Sequence, residues 1–261
     1  MSKPAILVTG GAKRIGAAIA RRFGEAGWHV VIHYGRSYAA AEALAASLPS
    51  ADSIHCDLTD GDAAVAMVRR LANDLDDWRV LVNSAGVFTR DDATELDPET
   101  NMRAMQINAV TPSRMAQAFL ARARSKGGRR VIQITDQKIA NPNPDFFSYT
   151  MSKHALASTI PMLAKAQSDT RDRVYGLAPG AILASHDQSE EETEISHRLN
   201  LLHRKTGPDE IADAALFLAH GWLASGKTLF VDSGQHLLDQ DRDVIYLARE
   251  MLSQGRDGSI A

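Results

Sequence analysis

Short apolar, β-branched runs alternate with helical stretches along almost the whole chain, and this alternation limits the available folds more than any other feature. The strand-like runs lie near residues 5–9, 29–33, 52–56, 79–83, 129–135, 172–177 and 227–231. The helical stretches lie near residues 14–26, 38–47, 60–76, 98–124, 148–168 and 208–220. Such alternation favours right-handed βαβ units, whose parallel strands are covered by helices on both faces. The pattern predicts an α/β fold, a single-domain, doubly wound Rossmann-type parallel sheet over residues 1–261.

Composition excludes several other classes of protein. A chain of 261 residues with 44% hydrophobic content can bury a sizeable core. The net charge of −3 offers no basic surface for nucleic acid. The single cysteine, Cys56, excludes an internal disulfide framework and fits a reducing compartment. Because the amino terminus runs straight into the first strand and no run is long enough to span a bilayer, we expect a cytoplasmic protein with no membrane partner.

The first predicted strand ends in a glycine-rich loop that leads directly into a helix. Glycines permit a tight turn and close helix packing at such a position. The helix N-terminus also offers free N–H groups and a positive dipole end to a pyrophosphate. The residues predicted to bind a dinucleotide here are Gly10, Lys13, Arg14, Ile15 and Gly16.

The end of the second strand indicates which dinucleotide is bound. NAD-binding sheets usually carry an acidic residue there, which holds the ribose 2′-hydroxyl. This chain has His33, Tyr34, Arg36 and Ser37 in that region instead. His33, Arg36 and Ser37 suit a 2′-phosphate, with Lys13 close by, so we predict NADPH as the cofactor.

The ends of the third and fourth strands belong to the same cleft. Asp57 and Leu58 follow the third strand, where a carboxylate could accept a hydrogen bond from the adenine amine. The fourth strand ends in small residues that we place beside the cofactor, namely Asn83, Ser84, Ala85 and Gly86. Asn108 lies in the middle of a predicted helix, although asparagine is a poor helix former. It is either a surface residue or one that fixes a water molecule or a lysine.

Tyr149 and Lys153 form the central pair of the predicted catalytic site. Residues four apart share one face of a helix, so the ammonium can sit under the phenol. A nearby cation favours phenolate and would let Tyr149 act as a general acid or base near neutral pH. Asp136 follows a buried strand, at the edge of the sheet where ligands bind. A partly buried carboxyl group has a raised pKa there and can donate a proton; alternatively, Asp136 caps a turn or helix.

These motifs together resemble the short-chain dehydrogenase/reductase family over about residues 4–238. In chain order they are Thr9-Gly10 to Gly16, Asn83 to Gly86, Asn108, Tyr149 with Lys153, Pro179-Gly180 and Asp232-Ser233-Gly234. The resemblance implies that Pro179 and Gly180 line the cofactor site, that Asn108 belongs to the catalytic set, and that Lys153 also holds the nicotinamide ribose. It further suggests a homotetramer.

Three departures from the common pattern narrow the resemblance. Arg14 stands at the middle glycine of the loop, residues 33–37 follow the second strand, and Asp136 replaces the usual serine. In all three the chain is similar to the pteridine reductases and the bacterial dihydromonapterin reductases. In that group the arginine reaches both cofactor phosphate and pterin, the aspartate joins the tyrosine in proton delivery, and an aromatic residue stacks on the pterin. Phe88 occupies that aromatic position, so the implied substrate contacts are Arg14, Phe88, Asp136 and Tyr149.

The implied reaction is NADPH-dependent reduction of a dihydropterin of the dihydromonapterin or dihydrobiopterin type to its tetrahydro form. Two alternatives remain open: a carbonyl or quinone reductase in which Asp136 positions a water molecule, and a non-catalytic NADPH sensor or scaffold. The intact Tyr149 and Lys153 pair argues against the second. No cluster of metal-ligand residues is evident in the sequence, so we predict no metal.

Three further segments carry structural expectations. Residues 179–202, with the acidic run 189–194, break the alternation and predict an irregular, mobile substrate loop. Pro161 is expected to interrupt the helix that carries Tyr149 and Lys153. The tail at about 240–261 has apolar residues at helical spacing, which predicts a terminal helix packed on its own domain or on a neighbouring subunit.

Overall fold

A seven-stranded parallel sheet forms the centre of the computed structural model, which describes residues 3–185 and 187–257. The strands are β1 Ala5–Thr9, β2 His29–Tyr34, β3 Ala51–His55, β4 Trp78–Asn83, β5 Arg130–Ile134, β6 Arg173–Pro179 and β7 Thr228–Val231. Their spatial order is β3-β2-β1-β4-β5-β6-β7, and every neighbouring pair is parallel. The predicted doubly wound sheet is therefore confirmed.

Helices cover both faces of this sheet. They are α1 Arg14–Glu25, α2 Tyr38–Ser47, α3 Gly61–Asp74, α4 Pro98–Met105, α5 Thr111–Arg122, α6 Phe147–Lys165, α7 Glu190–Ser196, α8 Pro208–Ala219 and α9 Val244–Asp257. The first helix packs against α8, and α3 packs against α5. Within the described residues, no helix combines the length and the apolar character that a bilayer crossing requires.

Successive residues of the central strands face two separate cores. Ile6 and Val8 of β1 pack with Phe23 of α1 on one side of the sheet. Leu7 packs with Phe119 of α5 on the other side. Because both faces are covered, every residue of β1 is buried and its first four residues are all apolar.

Two predicted helices differ from those observed. The predicted helix over residues 98–124 is divided by a π-helical turn at Gln106–Val110, which separates α4 from α5. Such turns insert an extra residue and often lie at functional sites. The helix α6 continues through Pro161, so the expected interruption there is wrong.

The predicted irregular loop after β6 is partly helical. The acidic run begins α7, where Ser189 and Glu192 form a capping box. The Ser189 hydroxyl accepts from the Glu192 backbone N–H at 3.1 Å, and Glu192 accepts from the Ser189 N–H at 3.0 Å. Acidic side chains also interact favourably with the helix dipole at this end. The acidic run is therefore a helix N-terminus.

The carboxyl-terminal segment forms α9 on its own chain. Val244, Ile245 and Ala248 are buried, and α9 packs against α7. Residues 258–261 of the predicted tail lie outside the described residues.

Candidate active site

A cleft of about 440 Å³ opens where loops follow β1, β4, β5 and β6. It lies where the strand order reverses between β1 and β4, which is the usual ligand position in open parallel sheets. The start of α9 closes one wall. Of the residues predicted from sequence, the walls bring together Gly10, Lys13, Arg14, Ile15, Gly16, Ser84, Ala85, Gly86, Phe88, Asp136, Tyr149, Lys153, Pro179 and Gly180.

The other predicted cofactor residues lie outside these walls. Tyr34, Arg36 and Ser37 continue from β2 toward the start of α2, with the Arg36 side chain exposed. Asp57 follows β3 and accepts a hydrogen bond from the Thr59 N–H at 2.9 Å. Hydrogen bonds from Thr59, and more weakly the charge of Arg36, lower the pKa of the Asp57 carboxyl. The pair of Arg36 and Asp57 therefore sits beyond the cleft, along the same edge of the sheet.

Two of the predicted residues face the core. Leu58 is buried. Asn83 is also buried, and its amide donates to the Pro112 carbonyl at 3.1 Å and to Gln133 Oε1 at 2.9 Å. The side chain of Asn83 therefore supports the sheet instead of facing a ligand, since strand alternation turns it inward.

The glycines of the first loop are required by its geometry. Gly10 has a φ of 62°, in the left-handed region. A Cβ atom on Gly16 would lie 2.3 Å from the Gly10 carbonyl oxygen, so only glycine allows α1 to begin so close to the loop. No side chain caps the first turn of α1. Its backbone N–H groups are therefore available to an anion, as the sequence predicts.

Arg14 occupies the loop at a cost in backbone energy. Its φ of 53° lies in the left-handed region, which costs a non-glycine residue about 1 kcal/mol or more. Its guanidinium donates to the carbonyl oxygens of Ala184 at 3.0 Å and Leu183 at 3.3 Å. Arg14 therefore links the phosphate loop to the segment after β6 across the cleft.

The side chain of His33 supports the glycine-rich loop after β1 through a hydrogen bond. Its side chain is buried, its Nδ1 accepts from the Gly10 N–H at 3.1 Å, and its Nε2 lies 3.0 Å from the Cys56 carbonyl oxygen. Burial lowers the pKa of His33 to about 4, so the ring is neutral near pH 7. The predicted contact between His33 and a 2′-phosphate is therefore wrong, because both ring nitrogens already have partners and the ring carries no positive charge.

Asn108 is buried in the π-helical turn, which excludes its interpretation as a surface residue. Its Oδ1 accepts from the Val87 N–H at 2.8 Å, and its Nδ2 donates to the Val87 carbonyl at 2.9 Å. Nδ2 also donates to the Ser152 hydroxyl at 2.9 Å. Asn108 thus connects the segment after β4 to Ser152 of α6, which directly precedes Lys153 in the chain.

Tyr149, Lys153 and Asp136 meet at the cleft. The Tyr149 hydroxyl donates to Asp136 Oδ2 at 2.6 Å. The Lys153 ammonium lies 5.5 Å from the centre of the Tyr149 ring, below the phenol as predicted, and donates to the Ile134 carbonyl at 2.7 Å. Asp136 Oδ1 accepts from the Lys138 N–H at 2.9 Å, so Asp136 also caps the 3₁₀ turn Gln137–Ile139. Asp136 therefore caps a turn and also lies in hydrogen-bond contact with Tyr149.

The surroundings shift the proton affinity of all three groups. Burial raises the pKa of the Asp136 carboxyl, as predicted, against the opposing hydrogen bonds from Tyr149 and Lys138. Burial and the neighbouring Asp136 carboxylate raise the pKa of Tyr149 well above its ordinary value. The predicted lowering of the Tyr149 pKa is therefore wrong, because these effects outweigh the ammonium. Burial also lowers the pKa of Lys153 to about 8. Because Tyr149 and Asp136 are hydrogen-bonded to each other, the charge on one affects the pKa of the other.

Phe88 lies directly beside this pair. Its ring contacts Tyr149 edge to face at 4.7 Å between centres and stacks on Phe146 at 4.0 Å. The aromatic edge-to-face geometry fixes the wall of the cleft next to the phenol.

Three supporting residues were not identified from the sequence. The Thr9 hydroxyl accepts from the Ser84 and Ala85 N–H groups at 2.9 and 3.0 Å, and so fixes the loop after β4. Lys138 and Asp243 form an ion pair at 2.9 Å in the wall of the cleft, near Asp136. A lysine two residues after Asp136 was a visible signal, but its partner lies 105 positions away in the chain.

Comparison with known proteins agrees with this geometry. A family model described as enoyl-(acyl carrier protein) reductase matches residues 10–236, most of the chain. The chain belongs to the short-chain dehydrogenase/reductase family. This short-chain reductase thus has the family membership that its motifs predicted.

Three relatives show what the chain is similar to. FolM Alternative dihydrofolate reductase 1 from Brucella suis, crystallised with NADP, is 31% identical with a TM-score of 0.84, over 90% of this chain and 96% of that one. Pteridine reductase 1 from Leishmania tarentolae is 28% identical over 90% of this chain and 96% of its own. Angucycline C-6 ketoreductase LanV, with bound NADP, is 29% identical with a TM-score of 0.80, over 90% and 96%. The predicted NADP cofactor agrees with the two crystallised complexes.

Proposed function

We propose that this protein uses NADPH to reduce a dihydropterin, of the dihydromonapterin or dihydrobiopterin type, to its tetrahydro form. The observation that carries the proposal is the 2.6 Å hydrogen bond from Tyr149 to Asp136, in a cleft where burial raises the pKa of the carboxyl. A carboxyl group with a raised pKa is a better proton donor to a ring nitrogen than an ordinary carboxyl group. The likeness to a pteridine reductase supports the same substrate class.

The residues present fit a dinucleotide phosphate. The close approach of Gly16 to Gly10 leaves room for a pyrophosphate at the uncapped N-terminus of α1. Arg36 and Ser37 would hold the ribose 2′-phosphate, and Tyr149 with Lys153 the nicotinamide ribose. The remaining assignments, also proposals, are Asp57 and Leu58 at the adenine and Ser84 to Gly86 with Pro179 and Gly180 along the cleft. NADPH supplies the hydride.

The protein's own groups manage the proton. Asp136 donates to the substrate nitrogen that gains a proton as the neighbouring carbon receives the hydride. Tyr149, bonded to the other side of the same carboxyl group, replaces that proton. Lys153 lies beneath the ring and, with a pKa of about 8, holds or releases a proton close to neutral pH. Arg14 and Phe88 would orient the pterin above these groups.

One assay tests the proposal: NADPH oxidation measured with dihydrobiopterin, dihydromonapterin, dihydrofolate, oxidised pterins, and simple ketones and quinones. We expect kcat/KM to be highest for a dihydropterin and very low with Tyr149→Phe, which keeps the ring packing but removes the hydroxyl. Turnover of ketones with none of any pterin would contradict the proposal.

A carbonyl reductase is the second candidate. Two observations favour it. The chain is similar to the ketoreductase LanV, and the pair of Tyr149 and Lys153 suits protonation of a carbonyl oxygen. In that reaction Asp136 would position a water molecule and would not donate a proton. Retention of ketone turnover in Asp136→Asn, with no pterin turnover in the wild type, would select this candidate.

Assembly as a homotetramer in the cytoplasm is a further proposal. Large apolar side chains of Met102, Met162 and Trp222 are well exposed in the single chain. Exposed apolar groups of this size are often covered in an assembly. Light scattering coupled to gel filtration should give four times the 28.3 kDa chain mass, and a monomer would contradict the tetramer.

A further inference from the structure

An ion pair in the wall of the cleft lies next to the proposed proton donor. Lys138 lies in the 3₁₀ turn that Asp136 caps, and its side chain is only 3% exposed. Its ammonium contacts Asp243 Oδ2 at 2.9 Å, Asn143 Oδ1 at 2.7 Å and, more distantly, the Asp145 carbonyl at 3.4 Å. The same residue therefore holds Asp136 through its backbone and holds a second carboxylate through its side chain.

Asp243 belongs to the segment that follows the sheet. Its carboxylate accepts from the Ile245 N–H at 3.0 Å at the start of α9, and its own N–H donates to Asp145 Oδ2 at 2.8 Å. Two nitrogens of Arg242 donate to the same Asp145 carboxylate, at 2.9 and 3.0 Å. Two ion pairs thus connect the tail to the segment between Asp136 and α6. The inner pair is Lys138 with Asp243, and the outer pair is Asp145 with Arg242.

The groups that face Asp136 carry nearly balanced charge. Tyr149 and Lys153 face it from α6 and Lys138 from its own turn, and Asp243 at the start of α9 acts on the neighbouring Tyr149. His154 on α6 contacts only the Lys138 backbone carbonyl, at 3.2 Å, and the Asp145 with Arg242 pair lies farther out. Removal of either member of the inner pair would leave one uncompensated buried charge beside the donor.

Buried ion pairs are poor sources of stability, because desolvation offsets much of their attraction. We propose that the Lys138 and Asp243 pair is a positioning device that holds Asp136 against Tyr149 and keeps the charge around the two balanced. This role deepens the proposed function, but its central test does not depend on substrate. The carboxyl-terminal segment thereby becomes part of the catalytic apparatus of the fold.

The test compares Lys138→Gln, Asp243→Asn and the double variant. Carboxyl ¹³C NMR of the cofactor-free protein, assigned with Asp136→Asn, reports the titration midpoint of Asp136 directly. Lys138→Gln leaves a negative charge nearby and should raise the midpoint by about one pH unit; Asp243→Asn leaves a positive charge and should lower it by a similar amount. The double variant restores the balance and should return to within about 0.3 of the wild-type value.

Arg242→Met provides the matched control, because it cuts the outer pair of the same tail without changing the charge next to Asp136. It should lower the melting temperature and leave the midpoint unchanged. In the reductase assay the two single variants should lose roughly tenfold in kcat with NADPH affinity within twofold, as expected for a misplaced donor. Shifts in the same direction in both single variants, or none, would overturn the proposal. If one of the single variants does not fold, the double variant still tests the proposal, and a shifted midpoint of Asp136 in it would overturn the positioning role. Absence of pterin turnover in the wild type, by contrast, would count only against the proposed function.

Discussion

Replacement of Lys153 by methionine is expected to stabilise the cofactor-free protein at neutral pH while it removes catalysis. The Lys153 side chain is buried, and its ammonium donates a 2.7 Å hydrogen bond to the Ile134 carbonyl. Burial lowers its pKa from 10.5 to about 8. The folded protein must therefore protonate a desolvated amine at pH 7, whereas methionine fills a similar volume without charge.

The size of the effect follows from proton linkage. Between pH 8 and 10.5 the unfolded chain holds a proton on Lys153 that the folded protein has released, so wild-type stability rises with pH in that range. The depressed pKa costs the wild type about 3 kcal/mol at pH 7 and about 1 kcal/mol at pH 9.5. The lost hydrogen bond to Ile134 subtracts about 1 kcal/mol from the variant at every pH. The change with pH is therefore the decisive quantity.

Urea unfolding at pH 7, 8.3 and 9.5 measures this change. The stability difference between Lys153→Met and the wild type should favour the variant at pH 7 and shrink by about 2 kcal/mol at pH 9.5. Lys165→Met, at an exposed position on the last turn of α6, controls for the change of residue type. A difference that is the same at pH 7 and pH 9.5 would refute the reasoning.

Four further predictions concern the site and the tail. Asp136→Asn keeps the oxygen that accepts from the Lys138 N–H but lacks the acidic proton, so dihydropterin turnover should fall by ~10²–10⁴ with NADPH affinity little changed. Near-normal turnover would disprove proton donation by Asp136. Asp136→Ser should instead favour ketones as substrates. Arg36→Asp should shift kcat/KM toward NADH, and equal values for both cofactors in the wild type would count against the 2′-phosphate site. Arg14→Gly relieves a φ of 53° but removes the hydrogen bonds to Ala184 and Leu183, so stability in denaturant titration should change by less than about 1 kcal/mol while KM for NADPH rises roughly tenfold; an unchanged KM would contradict a cofactor role for Arg14. Deletion of residues 240–261 should lower the melting temperature, since Val244, Ile245 and Ala248 are buried, and an unchanged value would show that α9 adds no packing.

Local pattern alone determined the architecture and the central pair of the site. A sheet with both faces covered favours strands rich in apolar residues, so the runs at β1, β4 and β5 could be recognised without knowledge of their partners. Tyr149 and Lys153 share a face of α6 because four residues make about one helical turn. Gly10 and Gly16 are likewise local requirements of a tight turn at a helix start.

Tertiary structure decided the environment of each group, because burial and partners come from residues far apart in the chain. His33 reads as a candidate phosphate ligand, but the contacts of its two nitrogens with Gly10 and Cys56 make it a neutral support. Tyr149 reads as a phenol activated by lysine, but the carboxylate of Asp136 raises its pKa. The partner of Lys138 comes from a segment that follows the last strand. Spacing specifies which side chains share a face, whereas proton affinity depends on the dielectric and the charges that only the folded chain assembles.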